Sequence, residues 1–271
     1  MTWPRISFDP IKLFDLHVSD LTLHDPYFAR KWLVAAWDEL GDDLFIGLLN
    51  APEVVGHYCD VHPERADALR EGVARVTPQL PERICQAEAR LLAASWPWNL
   101  GMARSPAIWD ALPWSYWDPS VIYDRVDIRG RIVLDVGAGT GQVTIRCAPF
   151  AEIVYALEPV AALRRYIERK MDAAGLRNVR TLSGVLEALP LGDSSVDAAI
   201  LSNGSFGWNP DVELRELERV TRPGGVILML APCNFGNEAM LSKIRSAGGY
   251  VPFDFEVPCD GVKPAFVSIR S

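Results

Sequence analysis

The chain has no apolar run approaching the roughly 18 residues that cross a bilayer, and its start, Met1-Thr2-Trp3-Pro4-Arg5, lacks the long apolar core of a secretory signal. A cytoplasmic location and no membrane partner are expected. Cysteine is scattered, since Cys59, Cys85, Cys147, Cys233 and Cys259 form an odd set with no Cys-x-x-Cys pair. That pattern argues against a disulfide framework, a zinc site and a radical cluster, each of which needs paired or closely spaced sulfurs. Basic charge is short as well. Against 35 Asp and Glu stand 27 Lys and Arg, and residues 1–130 alone hold 12 basic and 19 acidic groups. An acidic front half repels phosphate backbones, so a nucleic-acid partner is disfavoured.

The 271 residues, 49% hydrophobic and 23% charged, suit one large domain or a core with an attached subdomain. The anchor is Arg131 to Gly141. Ile132 to Val136 is a β-branched apolar run that reads as a parallel-sheet strand buried on both faces. Three alternate glycines follow, Gly137, Gly139 and Gly141. Without Cβ atoms such a turn lets the backbone lie against a ligand with its N–H groups available. A second strand, Glu152 to Leu157, leads into Glu158 and Pro159 about 20 residues past the turn. An acid there is placed to accept both ribose hydroxyls of a nucleoside across the strand tips. Glycine turn and acid together point to an adenosine-containing cofactor.

The ordered series Val133-Leu134-Asp135-Val136-Gly137-Ala138-Gly139-Thr140-Gly141, Ala156-Leu157-Glu158-Pro159, Leu189-Pro190-Leu191-Gly192-Asp193-Ser194-Ser195-Val196-Asp197 and Arg222-Pro223-Gly224-Gly225 resembles class I S-adenosylmethionine-dependent methyltransferases. It spans about residues 125–270 and is silent on the first 115 or so. The resemblance implies that Gly137, Gly139 and Gly141 pass under the methionine part of S-adenosylmethionine. It implies that Asp135 attracts the α-ammonium group, directly or through water, and that Glu158, beside Pro159, binds the ribose. The family often places an Asp before the Leu-Pro stretch to accept the adenine amino group. Here Val185 stands there, followed by Leu186 and Glu187, which leaves their backbone to read the ring edge and Leu186 to pack on its face. The loop Ser202 to Pro210, with Asn203, Phe206 and Trp208, would look across at the methyl sulfonium. It lacks the polar-Pro-Pro-aromatic sequence of nucleobase-methylating enzymes.

Beyond the turn, helices are expected over Gln142–Ala148, Val160–Ala174, Pro210–Val220 and Gly236–Ala247. The Arg164, Arg165, Arg169 and Lys170 stripe of the second reads as a solvated face. Strands are expected over Asn178–Ser183, Val196–Ser202, Gly225–Ala231, Tyr250–Val257 and Ala265–Arg270, the last two an antiparallel pair across Pro258-Cys259-Asp260-Gly261. The fold class is α/β, a doubly wound sheet with helices on both faces. The resemblance implies a Rossmann-like strand order of 3-2-1-4-5-7-6 closing in that hairpin.

The front, residues 1–120, reads as a helical, Trp-rich subdomain ahead of a cofactor-binding domain over 121–271. Helices are expected over Tyr27–Leu40, with Trp32 and Ala36 inward, Pro63–Val76 and Pro81–Ala94. Eight of the nine tryptophans fall in residues 1–117. They serve either as glue between helices and sheet or as a lid over the acceptor, with Tyr116 and Trp117 the candidates for the latter. His57-Tyr58-Cys59-Asp60-Val61-His62 holds metal-ligand types, but alternation on a loop or strand does not aim three of them at one ion, so no metal is expected.

The reading is methyl transfer from S-adenosylmethionine to a small-molecule acceptor. A nicotinamide-dependent oxidoreductase shares the strand, turn and acid, but requires a Gly where Gln142 stands and no terminal hairpin. A non-catalytic S-adenosylmethionine-binding protein is the other alternative, favoured by Val185 and by the lack of any side chain readable as the general base.

Overall fold

A computed structural model describes residues 9–202, 209–231, 238–258 and 261–270. The chain separates into two compact units that meet in sequence between Trp109 and Asp110, where the sequence reading placed a division at 120.

The first unit is helical: α1 Pro10–Leu13, α2 Pro26–Leu40, α3 Asp42–Gly47, α4 Pro52–Val61, α5 Ala66–Arg75, α6 Pro81–Ala94 and α7 Pro97–Arg104, with α8 Pro106–Asp110 carrying the chain into the second. Proline opens α2, α4, α6 and α7, where its missing N–H is one the helix would not use. Ahead of α2 the Asp25 carboxylate accepts the Tyr27 N–H at 2.7 Å, capping the first turn. Helix α2 buries Ala29, Trp32, Leu33, Ala36 and Leu40, so Trp32 and Ala36 face inward as the periodicity predicts. The tryptophans here pack mainly on other aromatics: Trp32 stacks on Tyr58 with ring centres 5.1 Å apart, and Trp98 and Trp109 both flank Phe14.

Two expectations for this unit are corrected. Pro63–Val76 is not one helix. A 3-10 turn covers Pro63–Arg65 and α5 starts at Ala66, the junction residue Arg65 lying at φ −112° and ψ −3°. His57 to Val61 belongs to α4 rather than to a loop or strand, since Val54, Tyr58 and Val61 form one buried helical face.

The second unit contains α9 Ser120–Tyr123, β1 Ile132–Val136, α10 Gln142–Cys147, β2 Ile153–Leu157, α11 Ala161–Ala173, β3 Val179–Leu182, β4 Val196–Ser202, α12 Pro210–Val220, β5 Thr221–Leu230, α13 Glu238–Ser246, β6 Val251–Val257 and β7 Gly261–Ile269. One seven-stranded sheet orders them β3-β2-β1-β4-β5-β7-β6, with β7 antiparallel to β5 and β6, the order that the resemblance implies. Residues of β1 alternate between two apolar layers. Leu134 and Val136 pack with Leu214, Leu217 and Ile244, and Val133 with Val143, Cys147 and Ile122. Helices therefore cover both faces, and the strand tips that collect ligands in such sheets are those of β1, β2 and β4.

Two strand limits differ from expectation. β5 begins at Thr221, because Val196 pairs with Thr221 before the register shifts ahead of Ala198. β7 begins at Gly261, because Val262 and Lys263 pair with Glu256 and Phe255 although no apolar run marks them. Among the described residues no helix is long and apolar enough to cross a membrane.

Candidate functional site

The site begins where β1 ends. Gly137, Gly139 and Gly141 have φ of 66°, 55° and 79°, the left-handed region where a side chain is strained. At Gly141 space is short as well, because a Cβ would lie 3.2 Å from Ile167 Cγ1 of α11. The Ala138 N–H donates to the Leu157 carbonyl oxygen at 2.8 Å, which ties the bend to the tip of β2.

The next residue of that tip is Glu158, 5% exposed. One carboxylate oxygen accepts the Gly139 N–H and the other the Val160 N–H, both at 2.9 Å. Arg164 donates to the carbonyl oxygens of Glu158 and Pro159 at 2.6 and 2.5 Å, fixing the backbone that carries the acid. A buried carboxylate is thus held against a bend made of backbone. A carboxylate can accept about four hydrogen bonds, so such a group suits the paired hydroxyls of a ribose.

Asp135 lies one layer below. It is 1% exposed, and its Oδ2 accepts the Thr144 N–H at 2.9 Å and the Thr144 hydroxyl at 2.5 Å. Burial pushes its pKa up to about 6, against the opposing pull of the Thr144 bonds and the Lys170 charge. The carboxylate is turned into the start of α10, so it acts on the bend as a charge behind the backbone.

In the segment 184–191, Val185 and Ala188 form a bridge and Leu186 is 4% exposed, packed with Val136, Leu157 and Leu189. Gly184, which sequence reading passed over, permits this approach: a Cβ there would lie 2.9 Å from Pro190 Cδ and 3.0 Å from Leu157 Cδ1. The segment is bolted to α12, since Glu216 accepts the Leu189 N–H at 2.8 Å and Arg219 donates to the Leu189 and Leu191 carbonyls.

Tyr116 and Trp117 are adjacent but in opposite surroundings. Tyr116 is 65% exposed, whereas Trp117 is 7% exposed in the core layer of Val121, Ile122 and Val143, with the Arg146 guanidinium 4.4 Å from its ring centre. Asn203, Phe206 and Trp208 lie outside the described residues, as do Cys233 and Cys259. The metal-like cluster does not converge: both ring nitrogens of His62 are occupied, by Glu64 at 2.8 Å and the Arg30 carbonyl at 3.0 Å. Among the described residues no group of three ligand-type side chains is placed to hold an ion.

Sequence reading missed one constellation beside the bend. The Asp110 carboxylate accepts hydrogen bonds from Gln142 at 2.5 Å, Tyr166 at 2.8 Å and Lys170 at 2.6 Å. No spacing signals it, because its members lie on three separate elements.

This chain has the strand order of the Rossmann-like methyltransferase fold, with a glycine bend after β1 and an acid at the neighbouring strand tip. Its residues 133–225 match the family model described as a methyltransferase domain. An uncharacterized methyltransferase of Mycobacterium tuberculosis is 33% identical over 109 residues, 40% of this chain and 43% of that protein. A malonyl-[acyl-carrier protein] O-methyltransferase of Halorhodospira halophila is 37% identical over 129 residues, 46% of this chain and 41% of that protein. A demethylmenaquinone methyltransferase of Geobacillus stearothermophilus is 35% identical over 108 residues, 38% and 45% of the two chains. The chain thus spans under half the length of these relatives. Among solved structures, a SAM-dependent methyltransferase from Aquifex aeolicus matches the fold with a TM-score of 0.50 at 23% identity, over 58% of this chain and 92% of that one.

Proposed function

We propose that this chain transfers the methyl group of S-adenosylmethionine to a small-molecule acceptor. The observation that carries the reading is Glu158: a nearly fully buried acid, aligned by two backbone N–H groups, at the strand tip beside a bend in which every other residue is glycine. In this role Glu158, with Pro159 shaping the turn after it, accepts the ribose hydroxyls. The backbone of Gly137, Gly139 and Gly141 supports the amino-acid end. Asp135 draws the ammonium group by charge. Leu186 belongs to the core layer, which leaves the backbone of Val185 and Glu187 to meet the adenine edge.

When bound, the cofactor supplies a methyl group already activated by its sulfonium. The demand on the protein is then alignment, which is worth several kcal/mol in an in-line displacement. Glu158, the bend and Asn203 are assigned to the donor, and Tyr116, Phe206 and Trp208 to the acceptor. The curated relatives are named for malonyl-[acyl-carrier protein] and demethylmenaquinone, which favours an acceptor of small size, free or presented on a carrier. An acidic chain disfavours nucleic acid, and free Cys59, Cys85 and Cys147 suit the reducing cytoplasm.

Two measurements test this. Calorimetry with S-adenosylhomocysteine should show one site per chain. Incubation with methyl-labelled S-adenosylmethionine and a small-metabolite extract should label a low-mass product. Absence of any binding would end the cofactor assignment, and tight binding without transfer would end the assignment of an enzyme.

A further inference from the structure

Three glycines at positive φ make a bend that is costly to order, since glycine loses more conformational freedom on ordering than any other residue. The Gly141 N–H donates to the Ala138 carbonyl at 2.7 Å and the Gly139 N–H to Glu158 at 2.9 Å, and a further group holds the Thr140 peptide. Thr140 is the residue between Gly139 and Gly141, and its carbonyl oxygen accepts a hydrogen bond from Lys170 Nζ at 3.0 Å. The same ammonium is paired with Asp110 at 2.6 Å, and the Lys170 and Asp110 side chains are only 18% and 16% exposed. Asp110 also takes the Gln142 side chain, at the residue that follows the bend, and the Tyr166 hydroxyl from one turn earlier on α11. One carboxylate, contributed by the last residue of α8, thus gathers the bend, the start of α10 and the inner face of α11.

We propose that Asp110 is a positioning residue for the cofactor bend, holding the Thr140 peptide through Lys170 and the start of α10 through Gln142. The inference rests on the S-adenosylmethionine reading above and extends its site beyond residues 133–225. A charge-assisted pair shielded from water keeps much more of its strength than a solvated surface pair. Burial alone would raise the Asp110 pKa, but the Lys170 and Tyr166 bonds and the Lys170 charge lower it instead, so the carboxylate stays ionised at neutral pH. The Lys170 charge also acts on Asp135, so losing its partner alters the potential behind the bend.

The test uses the full chain with Asp110→Ala, Asp110→Asn and Lys170→Met. Asp172→Asn serves as comparison, because it breaks the exposed pair with Arg177 near the end of the same helix. Amide exchange at residues 139–142, measured without cofactor, should quicken about tenfold in Asp110→Ala and Lys170→Met, and their affinity for S-adenosylhomocysteine should fall by about the same factor. Asp110→Asn, which keeps an acceptor for Gln142 and Tyr166, should fall between, and joining Asp110→Ala to Lys170→Met should add little to either alone. Asp172→Asn should change neither readout. Lower melting temperatures with unchanged exchange and unchanged affinity would make the cluster a plain structural clamp and overturn the proposal. Quickened exchange in a chain that binds no S-adenosylhomocysteine even as wild type would uphold the positioning of the bend and sink the cofactor reading instead.

Discussion

The Glu158 carboxylate accepts the Gly139 N–H at 2.9 Å, so the acid at one strand tip is fastened to the bend at the next. In the proposed function two jobs fall on one side chain, shaping the bend and meeting the ribose. Glu158→Ala should therefore weaken S-adenosylhomocysteine binding by about 1 to 3 kcal/mol through lost charge-assisted hydrogen bonds. Glu158→Gln keeps the size but turns an amide donor toward Gly139 or Val160, and should lose a similar amount. Calorimetry reads both, and an affinity equal to wild type in either would remove Glu158 from the site.

Asp135 makes pH a second probe. Burial raises its pKa to about 6 in the folded chain, above the 3.8 of a solvated aspartate. The folded state then binds more protons than the unfolded state between these values, so this group's contribution to stability falls as pH rises from about 4 to about 6 and stays level above. Relative to Asp135→Asn, which does not titrate, wild type should lose about 2 to 3 kcal/mol across that window, as seen in denaturant melts at stepped pH. Cofactor affinity runs the other way. An ammonium group is drawn only to the ionised acid, so wild-type affinity should drop below about pH 6 while that of Asp135→Asn stays flat.

What was legible in the sequence and what was not divides along the range of the interactions. Ile132–Val136, the glycine turn and Glu158 are contiguous or one crossover apart, and their chemistry is written in residue type. Strand order came with the family resemblance that the motifs carry. The extra length of β7 was hidden, because Gly261 to Pro264 carry no apolar pattern and join the sheet through backbone pairing with β6. The helix over His57 to Val61 was hidden by polar residues on its outer face. Least visible was the cluster on Asp110, where Gln142 of α10 meets Tyr166 and Lys170 of α11 with no motif to announce them.

Neighbouring aromatics give a contrast that separates packing from acceptor contact. Trp117 is 7% exposed and lies in a core layer under Arg146, so Trp117→Ala should cost about 3 to 5 kcal/mol of stability by leaving a cavity. Tyr116, 65% exposed, has little to lose, and Tyr116→Ala should shift stability by no more than about 0.5 kcal/mol. Thermal melts check the pair. A large loss at Tyr116 or a negligible one at Trp117 would contradict the placement. If Tyr116 meets the acceptor, its removal should raise the acceptor KM with S-adenosylhomocysteine affinity unchanged.

Arg219 is the bolt of the segment that carries Val185 to Glu187. It donates to the Leu189 and Leu191 carbonyls and to both oxygens of Glu216, while Glu216 accepts the Leu189 N–H. Arg219→Met keeps most of the stem and removes every one of these donors, which should cost about 1 to 2 kcal/mol of stability. The Arg219 bond holds the Glu216 pKa below its usual range, which fixes the sign of the pH effect. That stabilisation is full at neutral pH and fades as pH falls below the unfolded value of about 4.3. Wild type and Arg219→Met should accordingly converge in stability in acid and diverge above about pH 5. A constant gap between the two melting curves from pH 3 to pH 7 would show that the Glu216 pair adds nothing and that Arg219 acts through its carbonyl bonds and packing.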